Sequence, residues 1–167
     1  RKFMKYCTAL TATMGLSSSF VPKVAEVFAS PAQRPPVIWL HFAECTGCTE
    51  AVLRTQYPYI DKLHLDVLSV EYHETIMAAA GHQAEDALHA AAKKYKGKYI
   101  CVVEGAIATK YNGGYGKIGG RTFLEIAKEV TPKAAGVICI GSCSSFGNVQ
   151  AAKPNPGGYK GVGEALG

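Results

Sequence analysis

The sequence predicts an α/β fold, a parallel sheet with helices on both faces. Two observations support this prediction. Short apolar, strand-like runs alternate along the chain with helical or loop patterns, which is typical of parallel β/α units. Cysteines and carboxylates follow these runs directly, as they do where a site forms at the ends of parallel strands. The strand-like runs are residues 37–42, 63–72, 99–104 and 136–141.

The segments between these runs complete the predicted order of elements. A helix is expected from about Thr49, after the first run. The second run is followed by an Ala-rich helix from Glu74 to Lys94, whose terminal lysines favour a helix C-terminus. The third run leads into residues 111–120, where five glycines in ten residues predict an irregular loop.

Length and charge limit the possible functions. The chain has 167 residues and 48% hydrophobic content, enough for one compact core. Its net charge of +5 is concentrated at the start, and the residues after position 29 carry 14 basic and 12 acidic side chains. This balance is too weak to indicate nucleic acid as a partner.

Residues 1–32 are predicted to be a signal peptide and linker, and residues 33–167 the folded domain. A charged start is followed by a modestly apolar run to Val21 and by small residues suited to a peptidase, with cleavage expected near Ser30 or Gln33. The start resembles the R-R-x-F-L-K box of twin-arginine signal peptides, with Arg1 as the second arginine. Pro35 and Pro36 favour an extended linker. The alternative is an amphipathic N-terminal helix.

The cysteines indicate a metal site more than a set of disulfides. Cys101 and Cys139 lie inside apolar runs, where a buried free thiol is common, and Cys7 lies in the predicted signal. Three cysteines remain, an odd number for disulfides and a suitable set for a metal or cluster: Cys45, Cys48 and Cys143. A C-x-x-C motif alone also occurs in thioredoxin-like redox pairs and in zinc sites.

The alternatives explain less of the sequence. A thioredoxin-like pair gives no role to Cys143, and zinc needs a second pair or suitably spaced histidines. His82 and His89 are seven residues apart on the predicted helix and are expected to be solvated; His41, His64 and His73 show no partner spacing.

The predicted sheet brings the three cysteines together. In a flavodoxin-like strand order, 2-1-3-4, the carboxyl ends of all four strands meet at one edge, where ligands of open α/β sheets bind. Cys45 and Cys48 follow the first strand, Glu104 ends the third, and Cys143 follows the fourth.

Three separated motifs give the chain a specific resemblance. These are W-L-H-F-A-E-C-T-G-C-T-E, V-V-E-G-A-I and G-S-C-S-S-F-G-N-V-Q-A-A-K-P-N-P. In this order and spacing they resemble the small subunit of nickel-iron hydrogenases, from the signal to the last residue. The resemblance implies that Cys45, Cys48 and Cys143 bind the proximal 4Fe-4S cluster. The fourth cysteine is then expected beyond Gly167, in a chain truncated before its C-terminal cluster domain.

The resemblance also implies partners and a location. It implies a heterodimer with a large subunit that holds a nickel-iron centre, further iron–sulfur clusters in the missing C-terminal part, and electron transfer from dihydrogen oxidation to an acceptor such as a membrane cytochrome b. The expected location is the periplasmic side of the cytoplasmic membrane, after export.

Individual residues receive roles from the same resemblance. Glu44 corresponds to a position near the family's proton exit route, so it is a possible proton relay, the alternative being a solvated or capping carboxylate. For Glu104 a structural hydrogen-bonding role is expected. The oxygen-tolerant branch has two extra cysteines at positions occupied here by Gly47 and Asn148, which implies an ordinary cubane and oxygen-sensitive activity.

Two rival interpretations remain. The related iron–sulfur subunit of respiratory complex I shares the fold and passes electrons to quinone, but typically has two adjacent cysteines in the first motif and no export signal. The other is a flavodoxin-like binding domain without a cluster. A flavin site is disfavoured because the first loop lacks a Ser/Thr-rich phosphate cradle.

Overall fold

The computed structural model describes residues 2–13, 15, 17–29 and 34–167. The chain divides into two compact units, Arg1–Arg34 and Pro35–Gly167. The first contains helices α1 (Lys2–Thr13) and α2 (Val21–Ala29), which contact each other. The predicted cleavage positions, Ser30 and Gln33, lie outside the described residues. Within the described ranges, no helix is both long enough and apolar enough to cross a bilayer.

The second unit alternates strands and helices. In chain order its elements are β1 (Pro36–His41), α3 (Gly47–Leu53), α4 (Ile60–Lys62), β2 (Ser69–His73), α5 (His82–Lys94), β3 (Ile100–Glu104), β4 (Ile107–Ala108), β5 (Lys117–Ile118), β6 (Arg121–Thr122), α6 (Phe123–Val130), β7 (Gly136–Ile140), α7 (Gly141–Phe146), α8 (Asn148–Ala151), β8 (Tyr159–Lys160) and α9 (Val162–Leu166). Three short helical turns, Leu63–Val67, Lys110–Gly113 and Thr131–Lys133, complete the set.

Four strands form a parallel sheet in the order β2-β1-β3-β7. Because β7 is the fourth predicted strand, the predicted order 2-1-3-4 is confirmed. Parallel pairing places all four carboxyl ends at one edge, and the register sets His41 of β1 beside Glu104 of β3. Trp39 of β1 pairs with His73 of β2.

Side chains alternate between the two faces of the sheet, as the pleat of a strand requires. On one face Ile38 and Leu40 are fully buried in a core that includes Leu88 of α5 and Ile126 of α6. On the other face a smaller cluster of Val37, Trp39 and Val102 packs against Val52 of α3 and against Leu68. Helices therefore cover both faces, and the predicted α/β class is confirmed.

The predicted second strand is wrong in its first half. Residues 60–67 form α4 and a π-helical turn, and β2 begins only at Ser69. The alternating pattern L-H-L-D-V-L indicates a strand, but a backbone hydrogen bond of 2.9 Å from Leu68 to the carbonyl of Leu63 closes a wide helical turn instead. Both leucines then line the same apolar pocket as Trp39, while Leu65 faces outward and is 63% exposed.

The predicted Ala-rich helix starts later than expected. It begins at His82 and not at Glu74, and the preceding residues form turns and bends. Gly81 has φ of 57° and ψ of −133°, a conformation that only glycine adopts readily, so the helix cannot continue backwards through it. Met77 instead packs against the main core.

The glycine-rich segment contains a small hairpin and is not entirely irregular. Strands β5 and β6 pair antiparallel, with Ile118 opposite Arg121. Gly119 and Gly120 connect them with φ of 58° and 83°. Two consecutive positive φ angles are what a tight two-residue hairpin turn requires, which explains this pair of glycines.

Candidate metal centre

The first two predicted ligands lie in the connection from β1 to α3. Thr46 has a φ of 64°, a left-handed conformation that turns the chain sharply between the strand and the helix. Helix α3 then begins at Gly47, so Cys48 lies in its first turn while Cys45 precedes it. Cys45 is exposed and Cys48 is half-buried. A Cβ on Gly47 would lie 3.1 Å from the Cys45 Sγ, so glycine leaves room beside that sulfur.

The third predicted ligand lies in the turn that follows β7. Helix α7 begins directly at Gly141, and Cys143 is in its first turn. Gly141 has φ of 79°, and a Cβ there would lie only 2.3 Å from the Cys48 Sγ. The structure therefore sets the sulfur of Cys48 against the turn that contains Cys143, although the two cysteines are far apart in the sequence.

Charge couples the three thiols. Burial raises the pKa of the Cys48 thiol, and the negative charges of Glu104, Cys143 and Cys45 raise it further. Thiolates are the form that binds metals, and a bound cation offsets this unfavourable charge. This edge of the sheet thus offers a set of thiols that gains from a cationic partner.

The three predicted cysteine ligands lie beside a separate group of possible metal ligands. All six cysteines are free thiols, so no disulfide competes for the three. Among the described residues, His41, Glu44 and Glu104 form a group of possible ligands whose donor atoms all lie within 4.8 Å of one another, and the cysteines form no such group.

The carboxylate of Glu104 organises the loop that carries Cys48. Glu104 ends β3 and is 1% exposed. Its Oε1 accepts hydrogen bonds from the backbone N–H groups of Cys48, at 3.1 Å, and Thr49, at 3.4 Å. Its Oε2 accepts from the Thr49 hydroxyl at 2.6 Å and from the Trp39 indole N–H at 3.3 Å. The expected hydrogen-bonding role of Glu104 is thus observed.

Two histidines that showed no partner spacing in the sequence meet in the structure. His41 ends β1 and His73 ends β2, and their Nε2 and Nδ1 atoms are 3.3 Å apart. Both are buried. A usable signal was present, because each histidine ends a strand-like run and the predicted sheet sets those two strands side by side. His82 and His89 are exposed on α5, as expected.

Glu44 lies between the histidines and the cysteine loop. Its Oε1 is 3.3 Å from the Nδ1 of His41 and accepts a hydrogen bond from the Thr46 hydroxyl at 3.3 Å. Its Oε2 is buried and has no hydrogen-bond partner among the described residues. Glu44 is thus a largely buried carboxylate with one free acceptor beside the first cysteine.

Cys101 and Cys139 lie within strands of the sheet. Cys101 is fully buried inside β3, and burial raises the pKa of its thiol to about 12. Cys139 lies in the neighbouring strand β7, where burial also raises its thiol pKa. Both behave as small apolar core residues, as their positions in apolar runs predicted.

Comparison with known proteins first defines the class. The family model described as NADH ubiquinone oxidoreductase, 20 Kd subunit, matches residues 45–166. The chain therefore belongs to this family. The matched region runs from the first cysteine of the C-x-x-C motif through α9.

Individual relatives then narrow the class. The chain is 54% identical over 166 residues to periplasmic NiFe hydrogenase small subunit 1 of Nitratidesulfovibrio vulgaris, covering 99% of this chain and 52% of the relative. It is 48% identical over 166 residues to the hydrogenase-2 small chain of Escherichia coli K12, covering 99% and 44%. The resemblance to nickel-iron hydrogenase small subunits is confirmed, although the family description itself names the complex I rival.

A solved structure supports the same assignment. The reduced, active NiFeSe hydrogenase from Desulfomicrobium baculatum matches with a TM-score of 0.78 and 34% sequence identity, covering 80% of this chain and 51% of that chain. The chain spans about half the length of the curated relatives it matches.

Proposed function

We propose that this chain is part of the electron-transfer small subunit of a nickel-iron uptake hydrogenase. The observation that carries the proposal is the approach of the Cys48 sulfur to the Gly141 turn, which joins the two cysteine motifs at the carboxyl edge of the sheet. Relatives that share 54% and 48% of their aligned residues are named as hydrogenase small subunits. Residues 33–167 form the cluster-bearing domain.

The proposed cofactor is a proximal 4Fe-4S cluster with Cys45, Cys48 and Cys143 as three ligands. The fourth cysteine comes from beyond Gly167, in a C-terminal part with further clusters. When bound, such a cluster supplies one-electron transfer. The chain's own residues hold and orient the thiolates: Gly141 leaves space for one sulfur, and Asn148 directs its side-chain N–H to the Cys143 Sγ at 3.5 Å.

The proposed partner is a large subunit with a nickel-iron centre, at which dihydrogen is split heterolytically. Two large apolar side chains close to Cys143 support such a contact, since Phe146 is 81% exposed and Val149 is 76% exposed. The final acceptor is proposed to be a membrane cytochrome b or another carrier.

We also propose export to the periplasmic side of the cytoplasmic membrane, with residues 1–32 as a twin-arginine signal peptide and linker. The relative from Nitratidesulfovibrio vulgaris is named as periplasmic. N-terminal sequencing of the mature protein tests this directly: a start near Ser30 or Gln33 supports removal of the signal, and a start at Arg1 contradicts it.

Glu44 is proposed as a proton relay beside the cluster. Its contact with His41 and its free Oε2 support this role. The test is hydrogen/deuterium exchange by the assembled enzyme with Glu44→Gln. A large loss of exchange is expected, and unchanged exchange would remove the relay from the account.

Activity is proposed to be sensitive to oxygen. Gly47 and Asn148 occupy the positions of the two extra cysteines of the oxygen-tolerant branch, so the cluster is expected to be an ordinary cubane. Sustained hydrogen oxidation in air would contradict this expectation.

Metal analysis separates the proposal from its rivals. The full-length protein is purified anaerobically with whatever co-purifies, and its nickel and iron are measured by mass spectrometry. Nickel with about a dozen irons per complex, as three clusters and a binuclear centre require, supports the hydrogenase. Iron without nickel favours the complex I relative, which the family description also names, or a small subunit that is not assembled with its partner. Neither metal would leave the cluster-free domain.

A further inference from the structure

The buried carboxylate of Glu104 accepts four hydrogen bonds, three of them from Cys48 and Thr49 at the start of α3. Two of its hydrogen bonds come from backbone N–H groups in the first turn of α3, at Cys48 and Thr49. Two more come from the side chains of Thr49 and Trp39. Every one of these four groups donates, so both oxygens of Glu104 act as acceptors.

These contacts fix the backbone of Cys48 relative to the sheet. Glu104 ends the central strand β3, and the indole of Trp39 ties it to β1. The Cys48 N–H is held at 3.1 Å from Oε1. The backbone of Cys48 is therefore anchored to the end of an inner strand of the sheet, which holds the Cys48 sulfur against the Gly141 turn.

The same contacts bring a negative charge close to a proposed ligand. The Oε1 atom of Glu104 lies 3.1 Å from the backbone nitrogen of Cys48, next to the proposed ligand. With the side chain of Glu104 1% exposed, water screens this charge poorly. A nearby negative charge favours the oxidised, less negative form of an iron–sulfur cluster and so lowers its reduction potential.

We propose that Glu104 is a positioning residue that anchors Cys48 through its backbone N–H and lowers the reduction potential of the cluster through its charge. This inference rests on the proposed function. Thr49 and Trp39 contribute to this role, because their hydrogen bonds orient the carboxylate and partly offset its negative charge.

Two variants test the proposal with shifts of opposite sign. Glu104→Gln removes the charge at similar size and is expected to shift the midpoint potential of the proximal cluster to more positive values. Thr49→Val removes the 2.6 Å hydrogen bond to Glu104 and keeps the negative charge. With one donor fewer, the carboxylate acts more strongly on the cluster, and the midpoint potential is expected to become more negative. The midpoint potential is measured by redox titration of the electron paramagnetic resonance signal in the full-length, anaerobically purified complex.

Glu71→Gln is the matched control, because Glu71 lies on the neighbouring strand β2 and hydrogen-bonds Ser69, away from the cysteine loop. Opposite shifts in the two variants, with no shift in the control, support the proposal. If Glu104→Gln does not fold, Thr49→Val decides alone. A potential unchanged in every folded variant, or shifted equally in Glu71→Gln, overturns the role of Glu104 and leaves the cluster in place. Absence of any cluster in the unsubstituted protein contradicts the proposed function, and this inference with it.

Discussion

The Nε2 of His41 lies 3.3 Å from the Nδ1 of His73, although 32 residues separate them in the sequence. Each histidine ends one of two neighbouring parallel strands. The ring of Trp39 lies over His73 with a centroid distance of 4.9 Å, so this pair is enclosed. Two imidazole rings therefore share a buried space at the edge where the cysteine loops meet.

His73 is predicted to make the protein less stable as the pH falls. Burial, together with the neighbouring His41, lowers the pKa of His73 to about 4, while the unfolded chain has a value near 6.5. Between about pH 6.5 and pH 4 the unfolded state therefore binds a proton at this histidine and the folded state does not. The free energy of unfolding decreases as the pH falls through this range. The full effect is at most about 3 kcal/mol.

Denaturant unfolding of the full-length protein at pH 7 and pH 4.5 measures this effect. His73→Gln should reduce the difference in stability between the two pH values, and replacement of the exposed His82 by Gln should leave it unchanged. An equal pH dependence in His73→Gln and the unsubstituted protein would count against this role.

Glu74 is predicted to make the protein less stable as the pH rises, the reverse of the effect of His73. Burial raises its pKa to about 7 from 4.5. The folded state therefore retains a proton that the unfolded state has lost, and stability decreases as the pH rises from 4.5 to 7. Glu74→Gln should stabilise the protein at pH 8, by at most about 3 kcal/mol, and should have little effect at pH 4.5. Glu164→Gln, at a mostly exposed position on α9, is the control, and a gain that is the same at both pH values would contradict the prediction.

Gly141→Ala is predicted to disrupt the meeting point of the cysteine loops. The new Cβ would lie 2.3 Å from the Cys48 Sγ, at a residue whose φ is 79°. Left-handed strain and the clash together should cost about 2 kcal/mol or more of folding stability and reduce bound iron. Gly136→Ala is the matched control, because that Cβ would meet no atom within 4 Å. Iron content and thermal unfolding of the two variants provide the measurement, and equal values would contradict the prediction.

Thr122 is predicted to stabilise α6 through a capping box. Its hydroxyl accepts from the Glu125 N–H at 3.1 Å, and the Glu125 carboxylate accepts from the Thr122 N–H at 2.7 Å. Thr122→Ala should lower the free energy of unfolding by about 1 kcal/mol, while Thr122→Ser keeps the hydroxyl and should lose much less. Urea titration of both variants measures the free energy of unfolding. An equal loss in Thr122→Ser and Thr122→Ala would indicate lost packing and contradict the capping role.

The parallel sheet and the meeting of the cysteine loops could be predicted from the sequence, because both follow from where strand-like runs end. Cys45, Cys48 and Cys143 each come shortly after such a run, and a parallel sheet brings those ends to one edge. A hydrogen-bonding role for Glu104 could be predicted, but its partners could not, because they depend on how α3 packs against β3.

Other features required the three-dimensional structure. The predicted sheet sets the strands of His41 and His73 side by side, but the contact between the two rings depends on the register between β1 and β2, which the sequence does not give. The alternating residues 63–67 carry a strand pattern, but packing around Trp39 favours a π-helical turn. Helix α6 was not anticipated, although Thr122 and Glu125 are spaced as in a capping box.

The central claim is that Cys45, Cys48 and Cys143 hold an iron–sulfur cluster, and the most direct test is iron and acid-labile sulfide in matched cysteine variants. Cys143→Ala and Cys139→Ala are compared in the full-length protein purified anaerobically with its partner. Cys139 lies four residues away, inside β7. Loss of about four irons and the matching sulfide from Cys143→Ala alone is the predicted result. Full iron and sulfide in Cys143→Ala, with an unchanged electron paramagnetic resonance spectrum, would contradict the account.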